Sequence, residues 1–556
     1  MAEECGVKFM GPQIRQTQNN PSLNLGLSKG DSVRFICYYV QTENLSKAPV
    51  LVSMNNKRKR YSARDFIFLG LFGLLVCSAT FWLLKTMTPT PEPVELVTET
   101  DDQSAPFEFS SSVLNEPNDF RADIKAAVEL ITEHFSYLEY RQENSRLDLV
   151  SLEKRAQAIL GDQPNAALFN EALTLLVAGL CDGHGFVNHS EFVKPKQFRW
   201  PFNLVEVDEG IVVGGLELIK KADGESWGPN ILPPTRPGEA PKDALQIGDV
   251  LISVSGRSIE DWIAEAQDYV FASTAPARRR LAIQKLGHFD DMPERQFIFN
   301  RPGKGQLKFK FKLYLSILKL ENPSALSVDR THKILDQNIG YFRPGNFAPP
   351  PNENWETRPD LRDEIVADMY GEFDQIIGEL KSTSGLILDL RGNPGGTDKL
   401  GNFLVDRLVN PGYVYYQLSS KLAGQWRFFD SNAKPSAGSN SFRGPLVCLL
   451  DEYTFSTADN VAACLKDVHP DVTFVGRPNG AGTGAPRYFK LPRTGASIRF
   501  CTMQVKAPNG AMAEGISVPI DIPIVWTRQD LIEGRDPDLA AAVDFLVSRL
   551  DENKDR

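Results

Sequence analysis

Two short runs, GLILDL (385–390) and PLVCLL (445–450), constrain this chain more than any other feature. Each is apolar almost throughout and shows no alternation of polar and apolar positions. A run of that length with no polar face suits a strand buried on both sides, as in a parallel sheet covered by helices. The flanking sequence supplies the helices. DEIVADMYGEFDQIIGEL (363–380) is amphipathic at helical spacing, KLGNFLVDRLV (399–409) lies between the two runs, and NIGYFRP (338–344) reads as a further strand. RDPDLAAAVDFLVSRL (535–550) closes the chain, with Asp536 as a cap and Pro537 in the first helical position. This alternation predicts an α/β core over residues 316–556.

Two blocks of different character precede it. Phe120, Ile124, Ala127, Ile131 and Phe135 recur at helical spacing, and AALFNEALTLLVAGL (166–180) predicts a second helix that delivers the chain to CDGHGFVNH (181–189). These predict a helical domain over 118–196. From 197 to 315 short β-like runs dominate, such as LVEVDEGIVVGGL and RQFIFN. Within that block a turn at Gly248-Asp249, a strand Val250–Val254, a second turn at Gly256 and a helix follow in order. WGPNILPPTRPGEAP (227–241) interrupts it as a proline-rich surface loop.

The N-terminal region carries a separate signal. Phe66–Leu84 is an uncharged apolar stretch directly after Lys57, Arg58, Lys59 and Arg60. Its length as a helix is about 28 Å, close to the thickness of a bilayer's hydrocarbon layer. The basic cluster predicts a cytoplasmic N-terminal side, so that everything after a 66–86 anchor lies outside the cytoplasm, in the periplasm if the cell is Gram-negative. A cleaved signal peptide is the alternative, although no small-x-small cleavage site follows. Residues 1–65 read as a cytoplasmic or spurious segment: 1–53 are polar and aperiodic, and Met54 offers a true start. Residues 87–117, rich in Pro, Thr, Ser and acid, read as a tether.

The net charge of −10 excludes a nucleic-acid partner, which requires a basic face. The 7 cysteines form no C-x-x-C pair and sit beside no histidine cluster, so no metal site or cofactor is expected. One disulfide among Cys181, Cys448, Cys464 and Cys501 stays open.

DEYTFSTADNVAACLKD (451–467) raises the functional question. Ser456 stands past the strand 445–450 at the start of a helix, where a serine is either a helix cap or a nucleophile favoured by free helical N–H groups. Two other stretches bear on the choice. Gly392, Gly395 and Gly396 follow a buried strand and expose backbone N–H groups. His184 lies in a glycine-flanked loop rather than on an apolar face.

LILDLRGNPGG, STADNVAACLKD after a strand, AEGISVPIDI and LCDGHGF together resemble the carboxyl-terminal processing (tail-specific) and tricorn-type serine peptidases, over roughly residues 120–550. The β-rich block resembles a PDZ domain through its Gly-Asp turn and following strand, although it lacks a clear Gly-Leu-Gly-Phe loop. The resemblance implies a crotonase-like, tail-specific-protease α/β core with an N-terminal helical domain and a PDZ-like domain. The tail-specific branch activates its serine with a lysine in a Gly-Lys-Gly loop. This chain has GRPNGAGTG there, with Gly482 or a neighbour in the lysine's place, and neither Lys466 nor Lys490 is an attractive substitute. The tricorn branch implies Ser456 as nucleophile, His184 as general base and Glu514 as the orienting acid. Its oxyanion hole implies the N–H of Thr457 with that of Gly395 or Gly396. The tricorn pattern has a serine before the histidine, where this chain has Gly183. Asp389, Asp459 and Asp467 read as structural, and Arg391 as pinning the glycine-rich loop. The reading is thus a membrane-anchored serine endopeptidase acting on proteins or peptides, with a catalytically inactive peptide- or lipid-binding relative, or a PDZ-like scaffold, as the alternative.

Overall fold

The computed structural model describes residues 117–554, apart from 189–197, 221–226, 230–243, 290–293, 316–328, 349–358, 430–439 and a few single positions. It also describes two N-terminal strands, Arg34–Tyr38 and Pro49–Ser53, which pair antiparallel. The chain divides into two compact units, Met1–Glu99 and Thr100–Arg556. The apolar stretch Phe66–Leu84 lies outside the described residues, and among the described residues no helix is long and apolar enough to cross a membrane.

The second unit is built on a six-stranded sheet. Thr331–Leu335 runs antiparallel to Ile339–Arg343. Parallel pairing then joins Ile339–Arg343, Gly385–Asp389, Leu446–Leu450, Val472–Gly476 and Ile522–Pro523 in that order. The two apolar runs are its central strands, buried at every position, and their side chains alternate between two cores. Leu386, Leu388, Leu446, Cys448 and Leu450 face a core formed with helices Pro359–Leu380, Asp398–Leu408 and Thr457–Val468. Ile387, Val447 and Leu449 face Ala542 and Leu546 of the helix Pro537–Lys554. Asp536 caps that helix as its position predicts, accepting the Leu539 N–H.

The N-terminal helices pack on one another and share their core with the far end of the chain. Pro117–His134, Leu138–Asn144, Leu149–Ile159 and Ala166–Ala178 bury Ile124, Ile131, Phe135 and Leu173 against Leu491, Ile498, Phe500 and Cys501 from the far end of the chain. Phe186–Asn188, just after the histidine loop, pairs with Ser497–Cys501. The helical region expected over 118–196 is therefore joined to residues 486–506 in one shared core. The β-rich block folds around its own cluster, including Phe202, Leu251, Val254, Phe297 and Phe299. The expected strand Val250–Val254 and helix Ile259–Ala266 are both present. Asp249 in its turn accepts Arg301 in a buried ion pair at 2.6 Å. Cys181, Cys448, Cys464 and Cys501 are free thiols, so the disulfide left open among them does not form.

Candidate active site

Parallel strands place their following loops side by side at one sheet edge. Here the loops after Gly385–Asp389 and Leu446–Leu450 are tied together. Gly392 N–H donates to Asp451 Oδ1 at 2.9 Å, Phe455 N–H to the Asn393 carbonyl at 2.9 Å, and the Thr454 hydroxyl to the Leu390 carbonyl at 2.9 Å. Arg391 pins the same loop to the last helix through Asp389, Asp536 and Asp538.

The chain then turns sharply at Ser456, whose φ of 57° and ψ of −122° lie where a residue with a Cβ is strained. Its backbone N–H is held twice, by the Gly482 carbonyl at 2.9 Å and by Asp459 Oδ2 at 3.1 Å. Asp459, in the first helical turn as expected, also accepts Asn479 Nδ2 and the Gly482 N–H. Burial pushes its carboxyl upward, and these N–H donors pull it back. The Ser456 Oγ lies 3.1 Å from His184 Nε2. The serine thus stands at the cap position with its hydroxyl facing an imidazole.

His184 is 8% exposed. Its loop is fixed by Asp182, whose Oδ1 accepts the His184 N–H at 2.9 Å, and by Arg499, whose Nε donates to the His184 carbonyl at 2.9 Å. Burial lowers the imidazole from its ordinary value to about 4, against the opposing field of Asp182. The ring is therefore neutral at neutral pH, the form a general base needs. Phe455 covers it, ring to ring at 4.6 Å.

Where the family pattern has a serine before the histidine, the place is filled from elsewhere. A Cβ on Gly183 would lie 2.9 Å from Ser273 Oγ and 2.5 Å from Phe455 Cε2. Ser273 Oγ accepts the Gly183 N–H at 2.8 Å, so the hydroxyl arrives from the β-rich block. Nothing in the sequence near His184 signals Ser273.

The place of the absent lysine is likewise accounted for. A Cβ on Gly482 would stand 1.8 Å from Phe455 Cε2, so no side chain fits there. Lys466 lies 3.8 Å from Asp521, an acid on neither loop of the site.

Glu514 is fully buried but does not contact His184. Its Oε1 accepts Arg141 Nη2 at 2.8 Å and its Oε2 accepts the Thr483 N–H at 2.6 Å. Burial raises its carboxyl above the ordinary range, with Arg141 opposing. Facing His184 Nδ1 instead are Cys501 Sγ at 3.5 Å and Asp182 Oδ1 at 4.0 Å. Asp182, His184 and Cys501 bring donor atoms within 4.8 Å of one another, a grouping that could also hold a metal ion.

Of the expected oxyanion donors, the Gly395 N–H is occupied, donating to Asn393 Oδ1 at 2.9 Å. This leaves Gly396 and Thr457. The Thr457 hydroxyl donates to the Gly396 carbonyl at 2.8 Å and so ties the two together. Gly395, at φ +93°, must be glycine: a Cβ there would meet Ser456 Cβ at 2.6 Å and Thr457 N at 2.7 Å.

Residues 338–524 match peptidase family S41. A carboxy-terminal-processing protease of Bartonella bacilliformis is 27% identical over 152 residues, covering 27% of this chain and 33% of that protein. The carboxy-terminal processing protease CtpB of Bacillus subtilis is 25% identical over 214 residues, 38% of each chain. The matches thus span about a third of the length of these curated relatives. Among solved structures, mature CPAF in complex with lactacystin superposes with a TM-score of 0.61 at 16% identity, covering 79% of this chain and 99% of that one. Mature CPAF determined separately gives the same TM-score of 0.61. These structures share the α/β fold. The matched segment contains Gly395, Gly396, Ser456 and Glu514 but not His184, which the N-terminal helices contribute. Over residues 338–524, this chain carries a peptidase family S41 domain.

Proposed function

We propose that this chain is a serine endopeptidase related to the carboxy-terminal processing proteases, acting on protein or peptide substrates through Ser456 and His184. The observation that carries the reading is the 3.1 Å contact between Ser456 Oγ and the Nε2 of a neutral, buried His184. In the first step Ser456 Oγ bonds to the carbonyl carbon of the scissile peptide while Nε2 takes the hydroxyl proton. The oxyanion that forms meets the N–H groups of Thr457 and Gly396. His184 then returns the proton to the leaving amine, and the C–N bond breaks. Water, deprotonated by the same imidazole, releases the acyl group and restores the serine.

Phe66–Leu84 makes this a membrane-anchored enzyme whose catalytic part faces away from the cytoplasm, and the PDZ-like block holds chain termini of substrates near the site. Protease treatment of intact spheroplasts tests the topology: digestion of the part after residue 86 supports it, and full protection overturns it.

Fluorophosphonate labelling of the full chain tests the chemistry, with lactacystin as a second probe. Labelling of wild type that is lost in both Ser456→Ala and His184→Ala supports a histidine-activated serine. Folded wild type that takes up neither probe overturns it in favour of a binding protein.

A further inference from the structure

To take the serine proton, His184 must present a bare Nε2, so its single ring proton belongs on Nδ1. The groups facing Nδ1 decide whether it stays there. Cys501 Sγ is 3.5 Å away. Its thiol has one proton and two oxygen acceptors for it, Asp182 Oδ1 at 3.4 Å and the Thr483 carbonyl at 3.4 Å. A thiol proton drawn to either oxygen leaves the sulfur lone pairs to accept Nδ1–H. Burial keeps the thiol protonated, since it pushes Cys501 far above its ordinary value. Were the thiol to donate to Nδ1 instead, the ring proton would sit on Nε2 and the base would be blocked.

Asp182 is placed to prevent that. It is fully buried, and its two oxygens hold the backbones of both partners: Oδ1 accepts the His184 N–H at 2.9 Å and Oδ2 the Cys501 N–H at 2.7 Å. Its charge stands close to the ring on which positive charge develops. Glu514 makes no direct contact with the ring: it is held by Arg141, by the Thr483 N–H and by the Ser273 hydroxyl, which in turn accepts the Gly183 N–H.

We propose that Asp182, acting through the Cys501 thiol, is the group that positions Nδ1 of the general base, and that Glu514 orders Arg141, Thr483 and Ser273 without holding Nδ1. This rests on the reading of Ser456 and His184 as the catalytic pair.

The test uses the full chain with its histidines labelled in 15N, so that nitrogen chemical shifts report the tautomer of His184 in the resting protein, beside steady-state kinetics. Wild type is expected as the Nδ1–H tautomer. Cys501→Ala is expected to lose that preference and to lower kcat about tenfold, the worth of one hydrogen bond, with KM unchanged. Cys501→Ser restores both, because a hydroxyl offers the same donor and acceptor. Asp182→Asn is expected to mix the tautomers and lower kcat by about 10²-fold or more. Should it fail to fold by circular dichroism, the Cys501→Ala and Cys501→Ser pair decides. Retention of the Nδ1–H tautomer and full kcat in Cys501→Ala overturns the proposal, as does loss of the tautomer in Glu514→Gln. An unreactive Ser456 in a protein whose tautomer responds as expected counts against the peptidase reading alone.

Discussion

Phe455 and Gly482 share one space: a Cβ on Gly482 would fall 1.8 Å from Phe455 Cε2, and the same ring lies 4.6 Å from that of His184. The aromatic side chain thus closes off the Gly482 position to any side chain, and it packs against the His184 ring.

Gly482→Ala should therefore displace Phe455 and with it His184. Overpacking at such a site costs about 1–3 kcal/mol. A lowered melting temperature together with a lowered kcat is expected. Gly482→Lys in a His184→Ala background should restore no labelling by fluorophosphonate, and recovered labelling would show that the loop can open to admit a lysine.

The pH profile follows from burial of His184. The group acts as a base only when neutral, so kcat/KM should rise as pH rises through its value of about 4 and be level between there and neutrality. An unperturbed imidazole would place that limb near 6.5. An acid limb found near the unperturbed value would mean that the site opens to water before substrate binds.

Strain at Ser456 can be separated from its chemistry. With φ at 57°, Ser456→Gly relieves a conformation costing about 1–3 kcal/mol and should raise stability in urea denaturation. Ser456→Ala keeps the Cβ and gains nothing. Both lose labelling, and equal stability of the two variants would mean that the turn is not strained in solution.

Arg391→Ala removes the cation shared by Asp389, Asp536 and Asp538, leaving the buried Asp389 carboxylate without its ion-pair partner. Breaking one side of a buried pair costs about 3–5 kcal/mol. Chemical denaturation should show a loss of that order, and a loss below about 1 kcal/mol would assign the cluster to the surface class.

The strands and helices of the core were legible because their burial is written in period: Leu386 and Leu388 on one face, Ile387 on the other. Ser456, His184 and the glycine loop were legible as motifs. Leu138–Asn144 and Leu149–Ile159 were not, since the first is short and buries Arg141 where an apolar residue would have marked it. Asp182 and Cys501 escaped for a different reason. Their role exists only across 319 residues of chain, and a lone cysteine in a strand reads as core. Glu514 shows the converse: a motif named the residue, while its partner is a guanidinium that no local pattern announces.

The joining of the N-terminal helices to residues 486–506 also sets the order in which the site is assembled. During synthesis the imidazole emerges 272 residues before the hydroxyl, and the strand carrying Cys501 later still. Until that strand docks beside Phe186–Asn188, the ribosome holds a chain with a solvated histidine and no partner for it. Long-range closure of this kind is a slow, late folding event. In a nascent or half-synthesised chain the contact between Ser456 and His184 is thus not yet made, and it forms only with completion of the fold.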